Sequence, residues 1–161
     1  LMEAGFDRES IVGTVNSVLI ARARGEAFAT LDMACVNLVT CEAEFVKIGA
    51  CPSFVKTEDG VAIVRSQTLP AGILSDIPVE SVPRRIMPND SIVMVTDGVL
   101  QARKDPSRKE PWVASFLARA GWMAPQELAE RILERALGGI RRQDADVTDD
   151  MSVVVVQFLP I

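Results

Sequence analysis

Three aspartates flank two apolar segments and are the residues best suited to chemistry. Asp97 follows the apolar residues 92–95, with Thr96 between them. Asp149 and Asp150 come shortly before a second apolar segment, residues 153–156. If the two segments are neighbouring buried, antiparallel strands at the centre of a sheet, the acidic end of one meets the acidic start of the other at the same edge of that sheet. Because converging carboxylates repel each other unless a proton or a cation lies between them, this spacing favours a cation site.

The types of residue present restrict the kind of ion. The chain contains no histidine, which removes the commonest base at neutral pH, the base of a serine triad and the commonest ligand of transition metals. Oxygen donors alone favour a hard cation, and we expect Mg²⁺ or Mn²⁺. Gly98 has no Cβ, so the backbone can turn sharply there and a metal or its water can approach closely. The predicted metal site consists of Asp97, Gly98, Asp149 and Asp150.

Each of these motifs also has an interpretation without function. Asp-Gly after a strand is usually a turn, and Asp-Asp before a strand is usually a solvated loop. An EF-hand loop starting at Asp144 is excluded, because Asp149 stands where that loop requires glycine and Val155 where it requires glutamate. A phosphotransferase with Asp97 as covalent nucleophile is a further alternative, although the chain lacks an Asp-x-Asp signature at this position.

Composition predicts one globular domain over residues 1–161. The chain is 48% hydrophobic and 24% charged, enough apolar material for a single core. A formal net charge of -5 disfavours a nucleic-acid surface, which needs an excess of lysine and arginine. No apolar run is long enough to span a bilayer, so we expect no membrane contact from this segment and a cytoplasmic location. Cys35, Cys41 and Cys51 fit neither a disulfide framework nor a zinc site.

Periodicity and turn motifs predict the elements that position the aspartates. Asp7 can cap an amphipathic helix over residues 8–21. Alternating patterns predict one hairpin from residues 27–38 and 42–48, and a second from 53–56 and 61–65 around Asp59-Gly60. The remaining predictions are an edge strand over 79–82, helices over 110–120 and 125–137, the second ended by Gly138-Gly139, and a last strand over 152–158.

The two acidic motifs also carry a family resemblance. Residues 95–99 (Val-Thr-Asp-Gly-Val) followed by residues 148–156 (Thr-Asp-Asp-Met-Ser and four valines) resemble the last two acidic motifs of the PPM family of metal-dependent protein serine/threonine phosphatases. Within that family the chain is most similar to the phosphatase domains of the stage II sporulation protein E group, through residues 17–19, 30–32, 49–54 and 69–73.

This resemblance implies a fold, an activity and roles for the aspartates. The implied fold is α+β, an α-β-β-α sandwich of two antiparallel sheets flanked by helices. The implied activity is hydrolysis of phosphoserine or phosphothreonine on a protein, with two Mn²⁺ or Mg²⁺ ions. Asp97 and Asp149 are the implied metal ligands, Gly98 belongs to the metal motif, and Asp150 lies where the family often has asparagine.

One motif of the family is not found in this sequence. The family has an earlier Asp-Gly motif whose aspartate bridges the metals, and this chain, which starts at Leu1 and not at Met, begins after it. We therefore expect a truncated phosphatase domain from the carboxy-terminal part of a larger protein, without its amino-terminal strands and with an incomplete site. Asp32 alternates with Leu31 and Met33, which favours a surface or hydrogen-bonding role over that of a replacement ligand.

The resemblance also suggests partners. The expected substrate is a phosphorylated anti-sigma-factor antagonist of bacterial sporulation or stress sigma-factor control, and segments outside this chain could anchor the parent protein in a membrane. The 8–21 helix is more apolar than one buried face requires, so it could form a homodimer contact, with core packing as the alternative.

A catalytically empty phosphatase-like module that binds a partner is the alternative function. Substrate-binding residues are unknown: six cations could bind phosphate but fit a solvated charged loop better, namely Arg103, Lys104, Arg108, Lys109, Arg141 and Arg142.

Overall fold

The computed structural model describes residues 5–23, 27–102, 109–141 and 149–159. Within these ranges the chain forms, in order, α1 (Arg8–Ala23), β1 (Leu31–Asn37), β2 (Glu42–Ile48), β3 (Ser53–Lys56), β4 (Val61–Val64), β5 (Ser81–Arg85), β6 (Ser91–Val95), α2 (Asp97–Gln101), α3 (Lys109–Arg119), α4 (Pro125–Arg141) and β7 (Val153–Gln157). Over this part of the chain, no helix is both long and apolar enough to cross a bilayer.

The chain divides into two compact units, each built around one antiparallel sheet. The first unit, residues 1–50 and 65–85, holds α1 and the three-stranded sheet β1-β2-β5. The second unit, residues 51–64 and 86–161, holds the sheet β4-β3-β6-β7 together with α2, α3 and α4. The predicted α+β class with two antiparallel sheets and helices is confirmed, and so are both hairpins.

Helix α1 begins where the sequence predicts. The carboxylate of Asp7 accepts a hydrogen bond from the backbone N–H of Ser10 at 2.8 Å and another from the Ser10 hydroxyl at 2.9 Å. These bonds favour the charged carboxylate, the backbone bond most strongly, and they hold the pKa of Asp7 below its ordinary value of 3.8. Two residues more than predicted are helical at the other end, which lies at Ala23.

A single buried polar side chain fastens α1 to the loop before β5. Asn16 is only 2% exposed; its Nδ2 donates to the carbonyls of Leu74 at 2.9 Å and Ser75 at 3.2 Å, and its Oδ1 accepts from the N–H of Gly72 at 2.7 Å. Gly72 has φ +95°, and a Cβ there would lie 2.5 Å from the carbonyl oxygen of Ala27, so this position requires glycine. Around these contacts the apolar core of the first unit contains Val12, Val46, Ile48 and Ala71.

Asp32 forms an ion pair. It lies opposite Lys47 in the register of β1 with β2, and its Oδ2 is 2.6 Å from Lys47 Nζ. The Lys47 side chain is 2% exposed, and a buried ammonium requires such a partner. The structure therefore gives Asp32 the hydrogen-bonding role that the alternation favours.

Strand β6 lies inside the second sheet, between β3 and β7, and is covered on both faces as predicted. Ile92 is 2% exposed and Val93 is completely buried. The core of this unit joins β6 to side chains of α3 and α4, including Val113, Leu117 and Ile132.

The prediction that residues 153–156 form a second buried central strand is wrong. β7 is the edge strand of the sheet as the described residues form it, and its exposure alternates. Val153 and Val155 pack against the core, whereas Val154 and Val156 are 53% and 45% exposed. Four consecutive valines do not reveal which face is buried, because that depends on the elements packed against the strand.

The bounds of β5 and α4 also differ from the predictions. β5 is an edge strand as predicted, but it spans Ser81–Arg85 instead of residues 79–82. It therefore includes Pro83, before which the predicted strand ends. An edge strand tolerates proline because one side of it makes no ladder hydrogen bonds. α4 continues through Gly138 and Gly139 to Arg141, where the sequence predicts a stop. Burial of Ile132 and Ala136 stabilises this helix, which offsets the roughly 1 kcal/mol that each glycine costs relative to alanine.

The capping interaction of Asp7 should give the stability of the protein a specific pH dependence. We expect Asp7→Ala to lower the melting temperature at neutral pH, and Asp7→Asn to lower it less, because asparagine also caps helices well. The folded-state pKa of Asp7 is lowered, so its stabilisation is present above the unfolded pKa and is lost as the pH falls through the folded value. Thermal unfolding followed by circular dichroism should therefore show the difference between the original protein and Asp7→Ala shrinking below about pH 4. A difference that stays constant down to acid pH would contradict this.

Candidate metal centre

The pairing of β6 with β7 brings the predicted acidic residues to one end of the sheet. The last pair of the ladder is Val95 with Val153, and beyond it the N–H of Thr96 donates to the carbonyl of Ser152 at 3.1 Å. Asp97 follows on one side, and the segment Asp149–Asp150 precedes on the other. All three carboxylates are exposed.

Gly98 lies directly against the opposite segment. A Cβ on Gly98 would be 2.5 Å from the carbonyl oxygen of Asp150 and 3.2 Å from that of Asp149. The space in which we expected a metal or its water is therefore occupied by the Asp150 carbonyl. The expected turn at Asp97-Gly98 is also different, because both residues open the short helix α2 and Gly98 is buried.

Local hydrogen bonds orient the carboxylates. Asp97 Oδ1 accepts from the N–H of Gly98 at 3.0 Å, and its Oδ2 accepts a long bond from Gln101 Nε2 at 3.4 Å. Asp149 Oδ1 accepts from the N–H of Asp150 at 3.0 Å. The nearest backbone N–H thus holds one oxygen of Asp97 and one of Asp149. The second oxygen of each is the better donor for a cation, because that of Asp97 accepts only the longer bond from Gln101 and no bond to that of Asp149 is seen among the described residues.

Thr96 also joins the two strand ends, and the sequence analysis did not single it out. Its hydroxyl donates to the carbonyl of Asp150 at 3.1 Å and accepts from the N–H of Ser152 at 2.9 Å. A threonine before a helix normally indicates a helix cap, so its sequence context alone predicts a different partner.

The donors at this edge fit part of a site for a hard divalent ion. Asp97 and Asp149 supply carboxylate oxygens, and the missing Cβ of Gly98 allows the Asp150 carbonyl to lie close to it. Over the ranges that the structure describes, however, no three aspartate, glutamate, cysteine or histidine side chains are grouped closely enough to hold an ion. These residues therefore match the chemistry of Mn²⁺ or Mg²⁺ without forming a complete ligand set.

Five of the other candidate residues are not among the described ones. Arg103, Lys104, Arg108 and Arg142 fall outside the described residues, as does Asp144 of the rejected EF-hand loop. Lys109 begins α3 and Arg141 ends α4. Cys35, Cys41 and Cys51 are half-buried and are not joined by disulfide bonds.

Comparison with known proteins identifies the family. The family model described as "Stage II sporulation protein E (SpoIIE)" matches residues 1–159. The chain belongs to this family. The stage II sporulation protein E of Bacillus subtilis is 32% identical over 158 residues, which cover 98% of this chain and 19% of that protein. The protein of the same name from Priestia megaterium is also 32% identical, over 98% of this chain and 26% of that protein. The chain thus spans about a fifth to a quarter of the length of these SpoIIE proteins.

Solved SpoIIE structures show the same fold. A structure of the phosphatase domain of B. subtilis SpoIIE, presoaked with Mn, matches with a TM-score of 0.72 and 30% identity, over 98% of this chain and 69% of that one. A structure of the SpoIIE PP2C phosphatase domain with a fragment of the regulatory domain matches with a TM-score of 0.84 and 32% identity, over 98% and 46% of the two chains. The RsbU and RsbW domains of Rv1364c from Mycobacterium tuberculosis are 20% identical with a TM-score of 0.79, over 99% of this chain and 45% of that one, and share the fold.

The close approach at Gly98 should make this glycine irreplaceable. Because its Cβ would overlap a backbone oxygen that cannot rotate away, we expect Gly98→Ala to lower the free energy of unfolding by about 1–3 kcal/mol, the usual cost of overpacking. Gly13→Ala is the matched control. Gly13 lies on α1 with no atom within 4 Å of the added methyl, so alanine there should be neutral or stabilising by up to about 1 kcal/mol. Urea unfolding measures both, and equal stability of the two variants would show that the contact is unimportant.

Proposed function

We propose that this chain is part of a metal-dependent protein serine/threonine phosphatase that hydrolyses phosphoserine or phosphothreonine on a protein substrate. One observation carries the proposal: the pairing of β6 with β7 places Asp97 and Asp149 at the same edge of a sheet. Membership of the SpoIIE family, whose solved structures include PP2C phosphatase domains, supports it.

The roles of the residues follow from their chemistry. Asp97 and Asp149 would hold the ions through carboxylate oxygens, with Asp150 adding negative charge beside them. Mn²⁺ or Mg²⁺ bound at such a site supplies a water of lowered pKa and positive charge for the phosphoryl oxygens. Exposure of the three carboxylates leaves the edge open to a phosphorylated side chain and to water. The absence of histidine is compatible with this chemistry, which requires no nucleophile from the protein.

We propose that the active enzyme uses further ligands besides these aspartates. Within the described ranges the acidic side chains form no group of three, and the family resemblance implies an earlier Asp-Gly motif upstream. We therefore assign Asp97, Gly98, Asp149 and Asp150 to one half of the centre. The solved SpoIIE phosphatase domain, of which this chain covers 69%, leaves room for such a segment.

The proposed substrate is a phosphorylated anti-sigma-factor antagonist in the cytoplasm, acting in sporulation or stress sigma-factor control. The names of the relatives support the first setting, since the B. subtilis protein is a sporulation protein and a cell fate determinant. A parent protein anchored in the membrane by other segments is compatible with this setting. A homodimer contact through the 8–21 helix is supported by Val18, which is 46% exposed on that helix.

The activity can be tested on the complete phosphatase domain that contains this chain. With Mn²⁺ and a serine-phosphorylated protein substrate, we expect Asp97→Asn and Asp149→Asn each to lower kcat/KM by at least about 100-fold, since residues merely behind the ligands already cost 10- to 100-fold. Asp59→Asn, an exposed aspartate in the β3–β4 turn, is the matched control and should keep full activity. Phosphate release that survives in the double variant Asp97→Asn/Asp149→Asn would overturn the metal assignment.

A catalytically empty module that binds a partner is the second candidate, favoured by the incomplete ligand set of the described residues. Thermal unfolding with and without Mn²⁺ separates the two functions. An ion that binds only the folded state stabilises it by about 2.7 kcal/mol at 100 times its Kd, so the phosphatase domain should melt several degrees higher with Mn²⁺. An unchanged melting temperature in the complete domain would favour the empty module.

A further inference from the structure

The hydroxyl of Thr96 bridges the two segments that carry the candidate metal ligands. Both of its hydrogen-bonding functions are used on the β7 side, as donor to the Asp150 carbonyl at 3.1 Å and as acceptor from the Ser152 N–H at 2.9 Å. These partners are 54 and 56 positions away in the sequence. The backbone of Thr96 adds a third link, its N–H donating to the carbonyl of Ser152 at 3.1 Å.

This use of the hydroxyl departs from what its position favours. Thr96 is the N-cap residue of α2 with extended backbone angles, φ -83° and ψ 164°, yet its side chain makes no capping hydrogen bond. A threonine at an N-cap normally accepts from an N–H of the first helical turn. Here the N–H of Gly98 is taken by Asp97 Oδ1 instead. The hydroxyl thus stabilises the junction between the strand ends and not the helix.

The junction determines where the aspartates lie relative to each other. Strand pairing ends at Val95 and Val153, so Asp97 and Asp149 both lie beyond the regular ladder. The Asp150 carbonyl oxygen lies 3.1 Å from the Thr96 hydroxyl and 2.5 Å from the position that a Cβ of Gly98 would occupy. The hydroxyl attracts this carbonyl, and the missing side chain of Gly98 leaves room for it.

We propose that Thr96 is a positioning residue of the metal centre, whose hydroxyl sets the separation between Asp97 and the segment Asp149–Asp150. The role rests on the proposed phosphatase function. Thr96 does not touch the ion; it acts through the backbone of Asp150, next to Asp149.

Stability and metal affinity should respond differently to loss of the hydroxyl. The hydrogen bonds of Thr96 to Asp150 and Ser152 lie at the exposed edge, where water can replace them, so the fold should lose little stability. The relative positions of the carboxylates should become less defined, and an ion that needs both should bind less tightly. Valine has nearly the same shape as threonine without the hydroxyl, and serine keeps the hydroxyl without the methyl group.

The experiment is a Mn²⁺ titration of the complete phosphatase domain, with free Mn²⁺ measured by electron paramagnetic resonance. We expect Thr96→Val and Thr96→Ala to raise the Kd for Mn²⁺ about 10-fold or more, the effect typical of residues behind metal ligands. Thr96→Ser should bind close to the original affinity. Thr57→Val is the matched control, because its hydroxyl bonds only locally, to the carbonyl of Gly60 at 3.3 Å, and its Kd should be unchanged.

The outcomes are distinguishable. Weaker Mn²⁺ binding by the Val and Ala variants, rescue by Ser and a metal-free melting temperature near that of the original protein would support the proposal. Equal Mn²⁺ affinity of Thr96→Val and the original protein would overturn it and leave the phosphatase function intact. A Thr96→Ser variant as weak as Thr96→Val, or variants that are unfolded without metal, would also overturn it, because the role would then be one of shape or general stability. Failure of the unsubstituted domain to bind Mn²⁺ would overturn the proposed function and this role together.

Discussion

Five residue pairs join β6 to β7, from Ser91 with Gln157 to Val95 with Val153. Further bonds extend this pairing at both ends: Asn89 and Asp90 contact Phe158 through the backbone at one end, and Thr96 contacts Ser152 at the other. The geometry of the acidic edge depends on this register, because a slip of one residue would turn every side chain of β7 to the opposite face. The burial of Val153 and Val155 does not by itself oppose such a slip, because Val154 and Val156 would replace them with identical side chains.

Local signals in the sequence predict much of the fold. The Asp7 cap, the Asp59-Gly60 turn and the apolar run of β6 each act through residues close in the chain, and the structure confirms the elements they indicate. The errors concern properties that neighbouring elements decide. The valines of β7 are identical in sequence but not in burial, and the glycines near the end of α4 do not stop a helix whose buried face holds it in place.

At the candidate site, too, the sequence reveals the local features and does not reveal the contacts between distant residues. Asp97, Asp149 and Asp150 are visible in the sequence because they flank two apolar segments and the chemistry of carboxylates is restricted. The contacts that join them are not visible, because the Thr96 hydroxyl finds its partners more than fifty positions away and Gly98 meets a backbone oxygen that no side-chain pattern reports. The register of β6 with β7 creates these contacts, and this register cannot be read from the sequence alone.

Asn16 places a mechanical restriction on the first unit. Rotation of α1 by one residue, about 100°, would carry this amide away from the loop and break all three of its bonds at once. Sliding by a full turn would place Val12 or Ile20 against the polar backbone that Asn16 now satisfies. The three hydrogen bonds of Asn16 therefore tie the helix to the loop at residues 72–75, and a shift of either one without the other would break them.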